Sequence, residues 1–304
     1  MHANEIPPSA RVTLLVVGGT GEATVDDDPT EVTGMLSRVT EVLDERFVPR
    51  WVPYPAAYGP ATALDGECYR SSLSRGVAAL ARAVDENVDE HPDRPVMLIG
   101  YSQGAAVIRG LLARPSARPY LKSIAAVGLV SDPHQPPGAV PGCDGWGVAG
   151  PGPDLPEGIP VFWVGAADDV ICNASPDSLV RDVADLSETF SVGQMGAWLA
   201  DVYDRVRSAD LQNAAWSTGF SPSRWRRDVV RLGVAAREVR GYLPAVLELR
   251  HRRWRNPFGG RHVSYGSEPY RRAPLTAPDV TGCEVLAHWL QLQVTLGSGR
   301  PLAA

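Results

Sequence analysis

The chain has 304 residues, 44% hydrophobic and 21% charged, with a formal net charge of -6. That length buries a sizeable core in one large domain or two small ones, and the composition excludes disorder, collagen-like repeats and coiled coil for the chain as a whole. The acidic balance argues against nucleic-acid binding, and no apolar run approaches the roughly 18 residues a membrane span needs.

The first residues, M-H-A-N-E-I-P-P-S-A-R, carry neither a basic n-region nor an apolar h-region. They do not read as a secretory signal, and residues 1–10 are expected to be a flexible terminus. Four continuous apolar runs follow, at Val12–Val17, 96–99, Ile124–Val130 and 159–164. Such runs suit strands covered on both faces. Between them, Leu73, Val77, Leu80, Val84 and Val88 repeat at helical spacing, and 105–113 reads as a second helix stopped near Pro115. Alternating strand and helix predicts crossover units and a mostly parallel sheet, an α/β fold in three layers.

The pattern changes after about residue 176. Leu179, Val183, Leu186 and Phe190 follow a helical period, as do Met195, Trp198 or Leu199, Val202 and Val206, and then Val229, Leu232, Ala236, Val239 and Leu243. No strand-like run is visible up to Arg255. Residues 176–255 are therefore expected to be a helical subdomain inserted into an α/β domain made of 11–175 and 256–304. Its second half is basic, with ten arginines against three acids in residues 221–255. A last helix is predicted with Val285, Trp289, Leu292 and Leu296 on one face. The four cysteines (Cys68, Cys143, Cys172, Cys283) lie far apart without a C-x-x-C pair, which argues against a disulfide scaffold or a zinc ribbon.

The strongest chemical signal is Gly100-Tyr101-Ser102-Gln103-Gly104, a G-x-S-x-G sequence between a strand and a helix. That context forces the serine into a strained turn and presents its hydroxyl at the end of the sheet, beside a helix N-terminus. Ser102 is the candidate nucleophile of an α/β hydrolase, and the N–H of Gln103 a candidate oxyanion donor. A serine hydroxyl needs a base, and the base an orienting acid. In this fold the chain order is Ser, acid, His. His134 comes too early, and His251 lies in an arginine-rich helical stretch. His288 falls on the final helix. His262 stands in a loop of small and polar residues, G-G-R-H-V-S-Y-G, and is the preferred base, with His288 its rival. The acid is expected at the carboxyl end of a late strand, where Asp168 and Asp169 are adjacent and only one can serve; Asp132, before Pro133, is a weaker candidate. The loop Gly18-Gly19-Thr20-Gly21-Glu22 follows the first strand and is expected to supply the other oxyanion donor, with a hydroxyl from Thr20. As a dinucleotide motif this loop is poor, because Thr24 stands where the third glycine belongs. The expected chemistry requires no metal and no organic cofactor.

These segments resemble the cutinase-like branch of the α/β hydrolases, and within it the lysin B esterases of mycobacteriophages. G-Y-S-Q-G resembles the branch's elbow. Asp169-Val170-Ile171-Cys172 is similar to its D-x-V-C segment and His262-Val263-Ser264-Tyr265-Gly266 to its H-x-x-Y-G segment. The resemblance thereby favours Asp169 over Asp168 and supports His262. Gly19-Thr20-Gly21-Glu22 resembles the loop that gives a hydroxyl to the oxyanion hole. Asp132-Pro133, a Pro/Gly-rich loop and Gly145-Trp146-Gly147-Val148-Ala149-Gly150 match a further segment. The 92 residues between Asp169 and His262 resemble the lysins, which carry a helical linker domain there. The resemblance implies an esterase acting on mycolylarabinogalactan or a related long-chain lipid ester. It also implies synthesis in the host cytoplasm and action on the envelope at lysis. The insert's Trp198, Leu199, Trp216, Phe220 and Trp225 are expected to cover an acyl chain, and its arginines to meet anionic envelope components. A general carboxylesterase and a non-catalytic envelope-binding module are the rival readings.

Overall fold

The computed structural model describes residues 11–114, 119–176, 178–188, 190, 222–249, 252–270 and 279–297. Five parallel strands form the central sheet: β1 (Val12–Val17), β2 (Phe47–Trp51), β3 (Val96–Tyr101), β4 (Ile124–Val130) and β5 (Val161–Val164), in the order β2-β1-β3-β4-β5. Every residue of β1 and β3 is buried, as the unbroken apolar runs require when helices cover both faces. The strand that periodicity does not reveal is β2. It reads F-V-P-R-W, with a proline and an arginine at its centre, and it lies at the sheet edge where a missing N–H costs no ladder bond.

Helices flank the sheet. α2 (Tyr69–Glu90) and α3 (Gln103–Leu112) pack on each other and on β1, and α3 also packs on β3. The short α1 (Ser37–Thr40) and the C-terminal helix, α6 (Gly282–Gly297), pack together, with α6 lying on β4 and β5. The apolar stripe of α2 is the expected one: Val77, Leu80 and Val84 are buried. That of α6 is not. Cys283, Leu286, Ala287, Leu290 and Val294 form its core face, while Leu292 and Leu296 are exposed. This helix is apolar on most of its circumference, so spacing alone selects no face.

Within 176–255 the described residues form α4 (Leu179–Ser187), α5 (Pro222–Tyr242) and an antiparallel hairpin of β6 (Val246–Leu249) and β7 (Arg252–Arg255). The hairpin corrects the expectation of an all-helical stretch. Its second strand is R-R-W-R, a charged sequence with no apolar alternation to betray it. The apolar face expected of α5 is also corrected: Val229, Leu232, Val239 and Leu243 are exposed, and Arg231 is the fully buried side chain. Arg231 reaches Asp182 of α4 at 3.4 Å, so part of the basic helix is an internal ion pair rather than solvated surface. The helix expected around Met195 to Val206, and with it Trp198, Leu199, Trp216 and Phe220, lies outside the described residues. Of Trp225 only the backbone position on α5 is described. No helix among the described residues is long and apolar enough to cross a membrane.

The strand order reverses between β1 and β3, and clefts of open α/β sheets form beyond the carboxyl ends of strands at such a point. The register aligns those ends. Val17 is level with Gly100, Tyr101 with Val130, and Val130 with Val164. The chain therefore delivers the loop from Gly18, Ser102, Ser131 and the Gly165–Asp169 turn to one rim.

Candidate active site

Ser102 sits between β3 and α3 with φ 52° and ψ -115°, a conformation that costs an L-residue of order 1–3 kcal/mol. Crowding explains the two flanking glycines. A Cβ on Gly100 would lie 2.6 Å from the Gly104 carbonyl oxygen, and one on Gly104 would lie 2.1 Å from that of Val17. The Ser102 N–H donates to the Val130 carbonyl at 2.9 Å, fixing the elbow to β4. Gln103 opens α3, and the first N–H groups of a helix lack intrahelical acceptors, so its amide has no partner within the helix.

The candidate acid, Asp169, is fully buried. Its Oδ2 accepts from Ser131 Oγ at 2.6 Å and Tyr265 OH at 2.7 Å, and lies 3.1 Å from His262 Nδ1. Its Oδ1 accepts from the Ile171 N–H at 3.0 Å. Burial pushes this carboxyl up, but the His262 charge and the hydrogen bonds from His262, Ser131 and Tyr265 outweigh it, leaving the pKa below its ordinary value. Tyr265 moves the other way. Burial and the Asp169 charge raise its phenol well above the usual range, so it remains a donor.

The hydrogen bonds also assign the imidazole tautomer. Ser131 Oγ gives its proton to Asp169, so across the 3.0 Å to His262 Nδ1 it can only accept. Asp169 can only accept as well. Nδ1 therefore carries the hydrogen, and the Nε2 lone pair is left to take a proton, as a general base requires. The ring lies beside two phenols: Tyr101 at 5.1 Å between centroids and 27° between planes, and Tyr242 at 5.4 Å and 38°. The Tyr101 hydroxyl donates to the His262 carbonyl at 2.8 Å, tying the elbow to the histidine loop.

The buried Gln103 side chain draws three segments together. Its Oε1 accepts from Thr20 Oγ1 at 3.0 Å, and its Nε2 donates to Ser72 Oγ at 3.1 Å and to the Ala57 carbonyl at 3.3 Å. The Gly19 and Gly21 amides are already engaged, by Glu22 Oε2 and by the Ala56 carbonyl, both at 2.8 Å. The Thr20 hydroxyl must turn from Gln103 to reach an oxyanion.

The structure thus brings Asp169 to His262, and Thr20 to Gln103, on the rim that carries Ser102. It leaves Asp168 exposed and His288 exposed on α6. Asp132 is buried in an ion pair with Arg109 at 2.7 Å and accepts from Trp163 Nε1 at 3.1 Å, a structural role. His134 Nδ1 lies 3.1 Å from the Gly150 carbonyl in the Pro/Gly-rich loop. His251 falls outside the described residues. Sequence reasoning missed Ser131. Its one signal is its place, a hydroxyl residue ending the strand next to the elbow strand, and its φ of 49° records the turn needed to aim it. Ser131→Ala removes a hydrogen bond to a buried charge, an interaction worth about 1.5–3 kcal/mol. The expected kcat on p-nitrophenyl butyrate is roughly tenfold lower, with a matching fall in the urea midpoint.

A groove of about 790 Å³ runs alongside, lined by Asp168, Asn173, Arg237, Arg240, Phe258 and Arg261 among others. The side chains of Ser102, Asp169 and His262 do not line it. The Arg240 guanidinium lies 4.2 Å above the Phe258 ring.

A strained serine at an elbow, on a parallel sheet flanked by helices, with a carboxylate–imidazole pair on the same rim, defines an α/β hydrolase. The family model described as Cutinase matches residues 24–181, and the chain belongs to that family of carboxylic ester hydrolases. It is 27% identical over 140 residues to the carboxylesterase Culp6 homolog of Corynebacterium glutamicum, covering 42% of this chain and 45% of that protein. It is 37% identical over 57 residues to acetylxylan esterase 2 of Talaromyces purpureogenus, covering 19% of this chain and 24% of that protein. The chain thus spans less than half the length of the curated relatives it matches. Among solved structures, it is similar to lysin B from mycobacteriophage D29, with a TM-score of 0.49, 15% identity, and 93% and 99% of the two chains covered. It is also similar to the catalytic core domain of acetyl xylan esterase from Trichoderma reesei, with a TM-score of 0.44, 18% identity, and 58% and 93% covered. At those identities and scores the two structural likenesses carry no functional weight.

Proposed function

We propose that the protein is a serine esterase that hydrolyses the ester between mycolic acids and arabinogalactan, acting on the host envelope during phage lysis. Ser102 attacks the ester carbonyl while His262 Nε2 takes its proton, and Asp169 holds the imidazole in its Nδ1–H form. The Gln103 amide and the Thr20 hydroxyl receive the oxyanion; each such donor contributes about 3–4 kcal/mol in well-studied hydrolases. His262 then returns the proton to the departing alcohol, and water releases the acid from Ser102.

The observation that carries the ester-hydrolase reading is the Asp169–His262 pair at 3.1 Å, on the rim where Ser102 is strained into an elbow. Support for the mycolyl substrate is the joint presence of G-Y-S-Q-G, D-V-I-C and H-V-S-Y-G with the long insertion between acid and base. The test is incubation with purified mycolylarabinogalactan. Release of free mycolic acids, lost in Ser102→Ala, is the expected result. The rival reading, a general carboxylesterase, is favoured by the names of the two curated relatives. It would be supported by turnover of short esters or acetylated xylan with no mycolate released.

A further inference from the structure

The end of the insertion is built into the histidine loop. The last four carbonyls of an α-helix have no partner within it. At the end of α5, Asn256 Nδ2 donates to the Arg240 carbonyl at 2.7 Å and the Arg261 N–H to that of Gly241 at 3.2 Å. Just beyond the helix, the Gly260 N–H donates to the Leu243 carbonyl and the Asn256 N–H to that of Ala245, both at 2.8 Å. The residues immediately before His262 thus satisfy the carbonyls of the helix terminus. The fit is close: a Cβ on Gly259 would lie 2.3 Å from the Leu243 carbonyl oxygen and 2.4 Å from Asn256 Nδ2. The last residue of α5 is Tyr242, and its ring lies against the imidazole.

From this geometry we infer that Tyr242 and the C-terminus of α5 are positioning elements for His262, so that the insertion completes the machinery for proton transfer. The inference rests on reading His262 as the base. Three features argue for it. First, a base displaced by about 1 Å costs on the order of 100-fold in rate, and a loop histidine needs neighbours to hold it. Tyr101 and the Asp169 pair act from the sheet side, and Tyr242 supplies a second ring from the insertion. Second, the imidazole becomes cationic as it takes the serine proton. A phenol face and the negative end of a helix dipole both suit a cation. Third, Tyr242 is about half exposed (47%). Its ring is therefore not needed to fill the core, and its removal is expected to leave the fold intact.

The test uses the full chain with Tyr242→Ala, Tyr242→Phe and Gly259→Ala. Each is assayed for steady-state hydrolysis of p-nitrophenyl butyrate, for the rate at which a fluorophosphonate labels Ser102, and for thermal unfolding. Tyr242→Ala is expected to lower kcat roughly 10- to 100-fold with KM within twofold, and to slow labelling in proportion. Tyr242→Phe is expected to restore most of the loss, since the ring is what matters. Gly259→Ala, which pushes the loop from the helix end, should show the same kcat defect; if it fails to fold, the Tyr242 pair decides alone. A folded Tyr242→Ala with kcat within twofold of the parent overturns the inference. So does a rise in KM alone, which would make Tyr242 a substrate contact. His262→Ala separates the two levels. If it stays active, the base assignment itself fails; if it is inactive while Tyr242→Ala is normal, only the positioning role fails.

Discussion

Ser102→Ala is expected to reduce hydrolysis of p-nitrophenyl esters by about 10⁴-fold or more, leaving whatever rate the oxyanion donors alone sustain. Stability should barely change, because the hydroxyl is not what holds the elbow. The elbow is held by the Ser102 N–H bond to Val130 and by the absence of side chains at Gly100 and Gly104. Ser102→Gly makes a useful companion. It should be equally inactive yet more stable by about 1 kcal/mol, since glycine adopts a positive φ without the strain an alanine keeps. Steady-state kinetics and thermal unfolding on the three proteins check both statements. Full activity in either variant would remove the nucleophile from the account.

The second large effect separates two neighbouring carboxylates. Asp169→Asn is expected to lower kcat by about 10³- to 10⁴-fold, because an amide can donate to Nδ1 and so select the wrong tautomer. Asp168→Asn should stay within twofold, since that side chain is exposed and outside the hydrogen-bonded set. Asp169→Asn should also change the acid limb of stability. The folded-state pKa of Asp169 is held below the ordinary 3.8: burial opposes this, and His262, Ser131 and Tyr265 prevail. A depressed carboxyl contributes its full stabilisation above the unfolded value and loses it as pH falls through the folded value. The parent should therefore lose stability below about pH 4, and the asparagine variant should lose less over the same range. Urea midpoints measured from pH 5 down to pH 2.5 read this directly. Equal acid limbs would mean that Asp169 is not the depressed group.

Much of this site is legible in the residues, and the reason is local. The elbow needs a strand, two glycines and a helix in succession, and all are contiguous between 96 and 112. The acid needs only the end of a late strand, which Ile159 to Val164 announces. Asp168 and Asp169 differ in a way periodicity cannot express; the turn that buries one and exposes the other is set by the Asp169 N–H bond to the Ala166 carbonyl and by Tyr265, nearly 100 residues on. Ser131 was hidden for the same reason: its part depends on β4 lying next to β3 and on its own positive φ, both products of the assembled sheet. The core face of α6 could not be read because apolar residues surround that helix, and in α5 the apolar spacing of Val229, Leu232 and Val239 marks an exposed face while Arg231 is buried. One strand of the hairpin, β7, is written in arginine, so no apolar alternation announces its pairing with β6.

The measurement closest to the core of the account is covalent labelling with a fluorophosphonate, read by mass spectrometry on the parent and on His262→Ala. A single adduct on Ser102 in the parent, formed at least about 10³-fold more slowly without the imidazole, is the predicted result. An adduct on another residue, or an undiminished rate at Ser102 in His262→Ala, would contradict it.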